Sequence, residues 1–312
     1  KEQTKMKNNL QYVIIKHIFN FLKYRKEKFM RINTIWITGA HGRLGSTLLR
    51  YLDPLEAEII ATDKDEVDIT KQEEVNLFVD RNRPKIIINC SGITNRLKCE
   101  NDPDKAYLLN ALGAKNIAIA SNRVRAKLVQ LSTADVFDGQ TIHPYKEIDK
   151  ANPNSVYGKS KFLGEEFVKD FADRYFIVRV SRLYSKENNL IESIIEQAKN
   201  GLVKVPKSRY GSPTSAYELS KFLISIMGTN AYGIYHASCE GTCSFRAFAQ
   251  KIIDITKIDA KVEEVRDSDR IDYEPAFRGI DNYFLDLLGK NTFSSWEDSL
   301  KDYLRREYGY ES

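Results

Sequence analysis

A glycine-rich turn between an apolar stretch and a helical stretch constrains the fold of this chain more than any other feature. The segment INTIWITGAHGRLGSTLLRYL (residues 32–52) starts with β-branched residues, passes through three glycines and ends in helix-forming residues. Glycine lets the backbone approach a pyrophosphate closely, and the helix that follows directs free N–H groups and its positive dipole end at that anion. The segment therefore predicts a dinucleotide-binding loop. Its predicted members are Gly39, His41, Gly42, Arg43, Leu44 and Gly45.

Four further apolar runs repeat the strand character of this first segment. They are AEIIATD (57–63), PKIIINCS (84–91), AKLVQLST (126–133) and YFIVRVS (175–181). None of them alternates strictly between apolar and polar residues, which is typical of strands buried on both faces of a parallel sheet. Helical stretches separate the runs. The pattern predicts the α/β class, with a Rossmann-type doubly wound parallel sheet.

The regular alternation weakens after Tyr184, which indicates a second part of the chain. In that part, GIYHAS (233–238) predicts a strand, and CSFRAFAQKIIDIT (243–256) predicts a helix capped by Ser244. We expect a dinucleotide-binding domain over residues 30–183. A smaller C-terminal lobe over residues 184–312 is expected to be mainly substrate-binding, with parts of it returning to the sheet.

Residues 1–29 differ from the rest of the chain in charge. They hold eight of the 48 Lys and Arg residues but only two of the 43 Asp and Glu residues, so the remaining chain is close to neutral. A neutral body lacks the positive stripe that nucleic-acid binding needs. The basic segment is amphipathic, but lysines interrupt it too early for a membrane span. We expect a non-native extension ahead of Met30, and the alternative is an interfacial membrane helix.

Length and cysteine content narrow the class of protein further. A chain of 312 residues that is 42% hydrophobic can bury a full core. Its four cysteines show no paired CxxC spacing and are too few for a disulfide scaffold, which predicts a reducing compartment and a cytoplasmic protein. Cys239, Cys243 and His236 have poor spacing for zinc, so no metal site is expected.

The end of the second predicted strand bears on the choice of cofactor. Asp63 lies where an acidic side chain bonds the adenosine ribose hydroxyls and favours NAD. Lys64 and Arg43 are cations able to accept a 2′-phosphate. We therefore expect NADP(H) in preference to NAD(H), with NAD(H) left open. Asp68 and Ile69 are expected to contact the adenine, and capping of a helix N-terminus is an equal alternative for Asp68.

The stretch NSVYGKSKFLGEE (154–166) places a tyrosine and a lysine four residues apart at the start of a predicted helix. Tyr157 and Lys161 therefore lie on one helix face. A free phenol has a pKa of about 10, and a neighbouring cation such as Lys161 lowers that pKa. A solvated helix face is the usual alternative for such a pair. The strand that ends in Ser132 and Thr133 adds a hydroxyl expected to lie near the cofactor ring.

Taken in order, the glycine loop, the Ser/Thr strand end and YGKSK resemble the short-chain dehydrogenase/reductase superfamily in its extended, nucleotide-sugar branch. The resemblance implies a nicotinamide cofactor that exchanges hydride. It implies that Tyr157 transfers the proton, that Lys161 lowers the tyrosine pKa and binds the ribose, and that Thr133 holds the substrate oxygen. Thr133, Tyr157 and Lys161 are thus the expected catalytic set, and Tyr157 and Lys161 also contact the cofactor.

A closer resemblance covers Met30 to about Leu288. The segments STADVFDG, PYKEIDKANPNSVYGKSKFLGEE, GSPTS and GIYHAS are similar, in order, to signatures of dTDP-4-dehydrorhamnose reductases and their relatives. The resemblance implies that NCSGIT (89–94) lines the cofactor and substrate cleft, with Cys90, Ser91 and Gly92 at the cofactor. It also implies a homodimer.

The chain departs from this family's pattern around the expected substrate. Ala134 and Asp135 replace the usual Asp-Tyr, Arg182 stands where a tryptophan follows the sixth strand, and the late RPxNS signature reads EPAFR (274–278). These changes predict altered sugar contacts and leave open whether the substrate is dTDP-4-dehydrorhamnose. Three arginines are expected to meet a phosphate or carboxylate, with surface arginines as the alternative. The residues expected to contact the substrate are Thr94, Ala134, Asp135, Arg182, Arg209 and Arg278.

These features together predict an NAD(P)H-dependent reductase of a 4-keto-6-deoxy nucleotide sugar, with hydride delivered to C4 and the proton donated by Tyr157. A 4,6-dehydratase would need an Asp-Glu pair after Thr133, where the chain offers only Asp135. A nucleotide-sugar 4-epimerase needs the same Tyr and Lys and stays open. A non-catalytic dinucleotide-binding regulatory subunit, resembling that of methionine adenosyltransferase, also stays open.

Overall fold

The computed structural model describes residues 34–188, 190–266 and 274–310, and a six-stranded parallel sheet lies at its centre. The strand order across this sheet is β10-β5-β4-β3-β1-β2. In chain order the strands are β1 (Thr34–Thr38), β2 (Glu58–Thr62), β3 (Ile86–Asn89), β4 (Lys127–Thr133), β5 (Tyr175–Val180), β6 (Arg182–Tyr184), β7 (Leu202–Pro206), β8 (Tyr210–Gly211), β9 (Pro213–Ser215), β10 (Gly233–His236), β11 (Cys243–Ser244), β12 (Lys261–Val265) and β13 (Phe277–Arg278). The predicted Rossmann-type sheet is therefore confirmed.

Helices cover both faces of the sheet. They are α1 (Arg43–Tyr51), α2 (Gln72–Asn82), α3 (Arg96–Asn101), α4 (Pro103–Tyr107), α5 (Gly113–Arg123), α6 (Val156–Phe171), α7 (Leu190–Lys199), α8 (Ala216–Met227), α9 (Phe245–Thr256), α10 (Tyr283–Leu287) and α11 (Trp296–Tyr308). A π-helical turn, Leu108–Leu112, joins α4 to α5. The helical stretch over residues 103–123 is thus interrupted by one wider turn.

Two apolar cores explain why the strands read as continuous apolar runs. In β1, Ile35 and Ile37 pack into the core on one face of the sheet, and Trp36 packs into the core on the other. In β3, Ile86 packs into the same core as Ile35, and Ile87 packs into the same core as Trp36. Because successive strand residues point to opposite faces, a sheet covered on both sides needs apolar residues at consecutive positions.

The topology places the loop after β1 and the loop after β3 side by side at the carboxyl edge of the sheet. From β1 the chain crosses to β2 on one side and then returns to β3 on the other side of β1. Such a switch in strand order opens a crevice at the carboxyl ends of the strands, where ligands of doubly wound folds bind. Gly45 lets α1 pack tightly into this turn, since a Cβ there would lie 2.4 Å from the Gly39 carbonyl oxygen.

The C-terminal part forms small sheets and also completes the large one. Three short sheets pair β11-β8-β13, β12-β7 and β6-β9, whereas β10 joins the central sheet beside β5. The predicted helix after Ser244 is confirmed as α9, and the Ser244 side chain accepts a hydrogen bond from the Ala247 N–H. The expectations for residues 1–29 lie outside the described residues. Within the described chain, no helix has both the length and the apolarity to cross a membrane.

Candidate active site

A cleft of about 340 Å³ lies at the carboxyl edge of the sheet, between the glycine loop and the C-terminal lobe. The predicted site residues that line it come from the glycine loop, the ends of the central strands, helix α6 and the lobe. They are Gly42, Arg43, Leu44, Cys90, Ser91, Gly92, Thr94, Thr133, Tyr157, Lys161, Arg182 and Arg278. Those that do not line it are Gly39, His41, Gly45, Asp63, Lys64, Asp68, Ile69, Ala134, Asp135 and Arg209.

The N-terminus of α1 has the features of an anion site. Gly42 precedes the helix without a side-chain cap, and the first turn contains no acidic residue. The first N–H groups of a helix have no partner within it, so these donors and the helix dipole favour a phosphate. The loop therefore fits the pyrophosphate of a dinucleotide.

Arg43 lines the cleft and contacts the loop that follows β3. Its Nη2 donates to Thr94 Oγ1 at 2.6 Å. Thr94 follows β3, which lies on the opposite side of β1 from β2. Acceptance of a 2′-phosphate by Arg43 or by Lys64 stays a prediction.

Asp63 follows β2 and is engaged by the glycine loop. Its carboxylate accepts from the backbone N–H of His41 at 2.9 Å and contacts the His41 ring. Lys64 is exposed beside it. The acidic residue and the cation predicted to choose the cofactor therefore lie together at the end of β2.

Asp68 and Ile69 both have structural contacts. Asp68 accepts hydrogen bonds from the backbone N–H and hydroxyl of Thr70, and these bonds lower its pKa despite partial burial. The Ile69 side chain is buried in the core beneath α5. Contact of these two residues with an adenine stays a prediction.

Helix α6 delivers Tyr157 and Lys161 to the cleft. Ser155 caps the helix by accepting from the Gly158 N–H at 3.0 Å. Gly158 permits a close approach to the end of β4, because a Cβ there would lie 2.2 Å from the Asp135 carbonyl oxygen. As a result Tyr157, which is 6% exposed, lies beside Thr133 at the wall of the cleft.

The phenol of Tyr157 has a raised pKa. Burial is the largest cause, and the Asp135 carboxylate raises the pKa further. Arg96, whose guanidinium carbon is 5.3 Å from the centre of the tyrosine ring, and a hydrogen bond with Thr133 act in the opposite direction. The expected lowering of this pKa by Lys161 is therefore not what the geometry gives. The phenol stays protonated at neutral pH.

Lys161 occupies a buried position one turn after Tyr157. Its Nζ donates to the Leu131 carbonyl oxygen at 2.6 Å. Burial lowers the pKa of Lys161 to about 8, and the Glu165 carboxylate opposes that shift. The ammonium group is held at the end of β4 by a backbone carbonyl, on the side of the cleft that Cys90 and Gly92 also line.

Ala134 and Asp135 lie behind the cleft wall, which corrects their prediction as substrate contacts. Both are fully buried. Asp135 accepts from Arg96 Nε and Nη2 at 2.5 and 2.9 Å and from the Thr133 hydroxyl at 3.2 Å. Burial alone would raise the pKa of Asp135, but Arg96 and Arg278 outweigh burial and keep it below its ordinary value. Asp135 thus holds other site residues in place.

The three predicted substrate arginines differ in their contacts. Arg278 is ion-paired with Glu274 and lies 3.6 Å from Asp135. Arg209 donates to the Glu274 backbone carbonyl at 2.5 Å and does not line the cleft, which corrects its prediction as a substrate contact. Arg182 is buried in the cleft wall against the Phe245 ring.

Asn110 is an organising residue that the sequence reasoning missed. Its side chain accepts from the Ile93 N–H at 2.8 Å and donates to the Ile93 carbonyl and the Ser160 hydroxyl at 3.0 Å each. It thereby ties the loop after β3 to α6. A polar residue inside the apolar run LLNAL was the available signal, since a buried amide needs partners.

Arg96 was missed as well. The helix that it begins gives no sign of a partner 39 residues later in the chain.

The fold and the site together define an extended short-chain dehydrogenase/reductase. The fold is a doubly wound parallel sheet with a glycine loop at its switch point. The site has a tyrosine and a lysine one helical turn apart, beside a threonine at the end of a strand. The family model described as the RmlD substrate binding domain matches residues 33–308. The chain belongs to this family.

Relatives of known name agree with this assignment. The Bacillus subtilis spore coat polysaccharide biosynthesis protein SpsK is 32% identical over 275 residues, covering 87% of this chain and 96% of that protein. The structure of a Clostridium acetobutylicum dTDP-4-dehydrorhamnose reductase is 38% identical with a TM-score of 0.83, covering 86% of this chain and 98% of that one. The structure of the Bacillus anthracis dTDP-4-dehydrorhamnose reductase in complex with NADP is 36% identical with a TM-score of 0.84, covering 88% and 99%.

Proposed function

We propose that this chain reduces the 4-keto group of a 4-keto-6-deoxy nucleotide sugar with NAD(P)H. The observation that carries the proposal is the meeting of Thr133, Tyr157 and Lys161 in one cleft with the N-terminus of α1. Relatives with 36 to 38% identity over most of the chain are named dTDP-4-dehydrorhamnose reductases. Both lines support a sugar-nucleotide 4-ketoreductase.

Each part of the chain has a separate task in this proposal. Residues 30–183 hold the dinucleotide, with the α1 N-terminus at the pyrophosphate and Lys161 at the ribose beside the nicotinamide. Residues 184–312 supply the sugar-nucleotide side of the cleft and return β10 to the sheet. When bound, the cofactor supplies the hydride that goes to C4 of the sugar.

Tyr157 and Thr133 complete the reduction at the substrate oxygen. The Thr133 hydroxyl orients that oxygen, and Tyr157 donates the proton as hydride arrives at C4. A raised phenol pKa suits this direction, because a reductase needs the tyrosine as an acid. A 4-epimerase starts with an oxidation, for which the phenol must act as a base. The 4-epimerase also re-reduces its intermediate with this tyrosine as an acid, so it is the named reductases among the relatives that favour reduction over epimerisation.

NADP(H) is the cofactor that we propose. The Bacillus anthracis relative was solved with NADP. In this chain the Asp63 carboxylate is occupied by two contacts from His41, which reduces its repulsion of a 2′-phosphate, and Lys64 lies exposed next to it. We expect both nicotinamide dinucleotides to bind and NADPH to be used more efficiently.

The test is loss of nicotinamide absorbance when the protein is mixed with NADPH, or with NADH, and a panel of 4-keto-6-deoxy nucleotide sugars. Oxidation is expected with at least one sugar. Tyr157→Phe removes the proton donor but keeps the ring, and should lower kcat by about 100- to 10,000-fold. Tyr283→Phe, on a partly buried tyrosine of α10 outside the cleft, is the matched control and should leave kcat unchanged.

A protein that binds cofactor but oxidises it with no sugar on the panel contradicts the proposal. That result would favour the epimerase or the regulatory-subunit alternative. Undiminished turnover in Tyr157→Phe would contradict the role given to the tyrosine.

A further inference from the structure

The described cleft lining carries an excess of positive charge. Five of its side chains are basic and one, Glu274, is acidic. The basic residues are Arg43, Arg96, Lys161, Arg182 and Arg278. A cleft with this balance favours an anionic ligand.

Four of these cations have a partner in the protein. Arg96 is bound to Asp135, and Arg278 is paired with Glu274. Arg43 donates to the Thr94 hydroxyl, and Lys161 donates to a backbone carbonyl.

Arg182 differs from these four. It is 4% exposed, yet its Nε, Nη1 and Nη2 atoms form no hydrogen bond within the described structure. Its guanidinium carbon lies 3.8 Å from the centre of the Phe245 ring, so stacking holds one face of the group. The N–H groups of a guanidinium point outward in its plane, so stacking on Phe245 satisfies none of these enclosed donors. A buried charge without hydrogen bonds is costly to the fold, which indicates that a ligand completes the site.

Arg182 lies in the same cleft wall as the proposed reaction site. Thr133 and Val180 are paired across β4 and β5, and Arg182 follows Val180 by two residues. A second guanidinium-bearing residue lies close by, since Arg278 is paired with Gly211 across β13 and β8 and a Cβ on Gly211 would lie 3.5 Å from Arg182 Nη2. Arg278 is in turn 3.6 Å from Asp135 Oδ1, the same oxygen that accepts from the Thr133 hydroxyl.

We propose that Arg182 is the anion receptor of the substrate cleft, and that it binds an oxyanion of the nucleotide sugar with Arg278 as the second cation. The planar fork of arginine matches a carboxylate or a phosphate with two parallel hydrogen bonds. The oxyanion is supplied either by the diphosphate of the substrate or by a carboxylate on its sugar. This inference rests on the proposed function in one respect only, which is that the ligand is taken to be a nucleotide sugar.

The test measures ligand binding rather than turnover, so its failure is distinguishable from failure of the reductase proposal. Calorimetric titration of the NADP⁺-loaded protein would use dTDP, UDP-glucose and UDP-glucuronate as probes. Arg182→Met removes the charge and keeps an apolar stem over Phe245, whereas Arg182→Lys keeps the charge without the fork. Arg246→Gln, an exposed arginine next to Phe245 and outside the cleft, is the matched control.

We expect Arg182→Met to weaken binding by about 10- to 100-fold, with partial recovery in Arg182→Lys and no change in Arg246→Gln. Equal weakening for all three probes identifies the diphosphate as the source of the oxyanion. Weakening for UDP-glucuronate alone identifies a sugar carboxylate. The midpoint of thermal unfolding of ligand-free Arg182→Met should rise, because an unpartnered buried charge is gone. The proposal would be overturned if Arg182→Met bound every probe as tightly as the parent protein. It would also be overturned if neither the parent nor Arg182→Met bound any probe.

Discussion

Burial has the largest effect on the pKa of Tyr157, and Asp135 and Arg96 are the two charges that change it most. The Asp135 carboxylate raises the pKa of the phenol, and Arg96, stacked over the tyrosine ring, lowers it. Because the two groups carry opposite charges and lie against each other, their effects on Tyr157 oppose one another. Removing one charge therefore changes the electrostatics more than removing both.

We predict that Asp135→Asn moves the basic limb of the pH profile of kcat/KM to lower pH. The proton donor must be protonated, so activity falls as pH rises through the pKa of Tyr157. Loss of the carboxylate lowers that pKa and leaves Arg96 uncompensated. Rates measured across pH with a 4-keto sugar would show the shift. Asp138→Asn, whose carboxylate binds Tyr145 and Asn152 instead, should leave the limb in place. Coincident profiles for Asp135→Asn and the parent would contradict this account.

Lys161 shows the cost of placing a cation in the cleft. Its pKa is about 8 in the folded protein and 10.5 when unperturbed. Between these two values the unfolded chain binds more protons than the folded one, so this residue makes stability rise with pH in that window. Below pH 8 the buried ammonium opposes folding in full.

We predict that Lys161→Met raises the free energy of unfolding at pH 7 by about 1 to 3 kcal/mol while abolishing turnover. The gain should shrink as the pH rises from about 8 to 10.5. Denaturant titrations at several pH values would measure it. Lys159→Met, on the exposed face of the same helix, should change stability little at any pH. Equal stability of Lys161→Met and the parent at pH 7 would exclude the proposed burial cost.

At the scale of elements, helix α6 is the part that couples fold to chemistry. It carries Tyr157 and Lys161, and its first turn lies against the end of β4. Gly158 is what allows this contact, since the Asp135 carbonyl occupies the space that a Cβ would need. The distance between Tyr157 and Thr133 therefore depends on the absence of one side chain.

We predict that Gly158→Ala lowers kcat/KM by about 100-fold and the free energy of unfolding by about 1 to 3 kcal/mol. The methyl group forces α6 away from β4 and separates the two hydroxyls. Gly228→Ala is the control, because that glycine has φ −71° and a Cβ there would meet only ordinary contact at 3.4 Å. Kinetics and denaturant titration on both variants would decide, and normal activity in Gly158→Ala would contradict the packing argument.

The elements were predictable because they depend on local patterns. Apolar runs predicted β2 to β5 to within a few residues, and Ser244 predicted the start of α9. The glycine loop, and the placement of Tyr157 and Lys161 on one face of α6, were also predictable from local sequence patterns.

The contacts between distant segments were not predictable in this way. Arg96 and Asp135 meet across 39 residues, and Arg278 joins them from the far end of the chain. No periodicity records which charges pair, so the roles of Arg96, Asp135 and Arg209 became clear only from the structure.

At the scale of the whole molecule, the cleft is assembled from both parts of the chain. The first part supplies the glycine loop, Thr133 and α6, and the later part supplies Phe245, Glu274 and Arg278. One apolar core runs beneath both, since α1 and α8 pack against each other under the sheet. The later part of the chain is therefore packed against the sheet that carries the proposed catalytic residue Thr133.

Transfer of isotope from cofactor to sugar tests the central claim most directly. NADPH carrying deuterium on the transferring face of its nicotinamide would be mixed with the protein and a 4-keto-6-deoxy nucleotide sugar, and the product analysed by mass spectrometry. We predict a 4-hydroxy sugar with deuterium at C4, formed by the parent and not by Tyr157→Phe. A product without deuterium, or a sugar epimerised at C4 with the cofactor unconsumed, would contradict the assignment as a 4-ketoreductase.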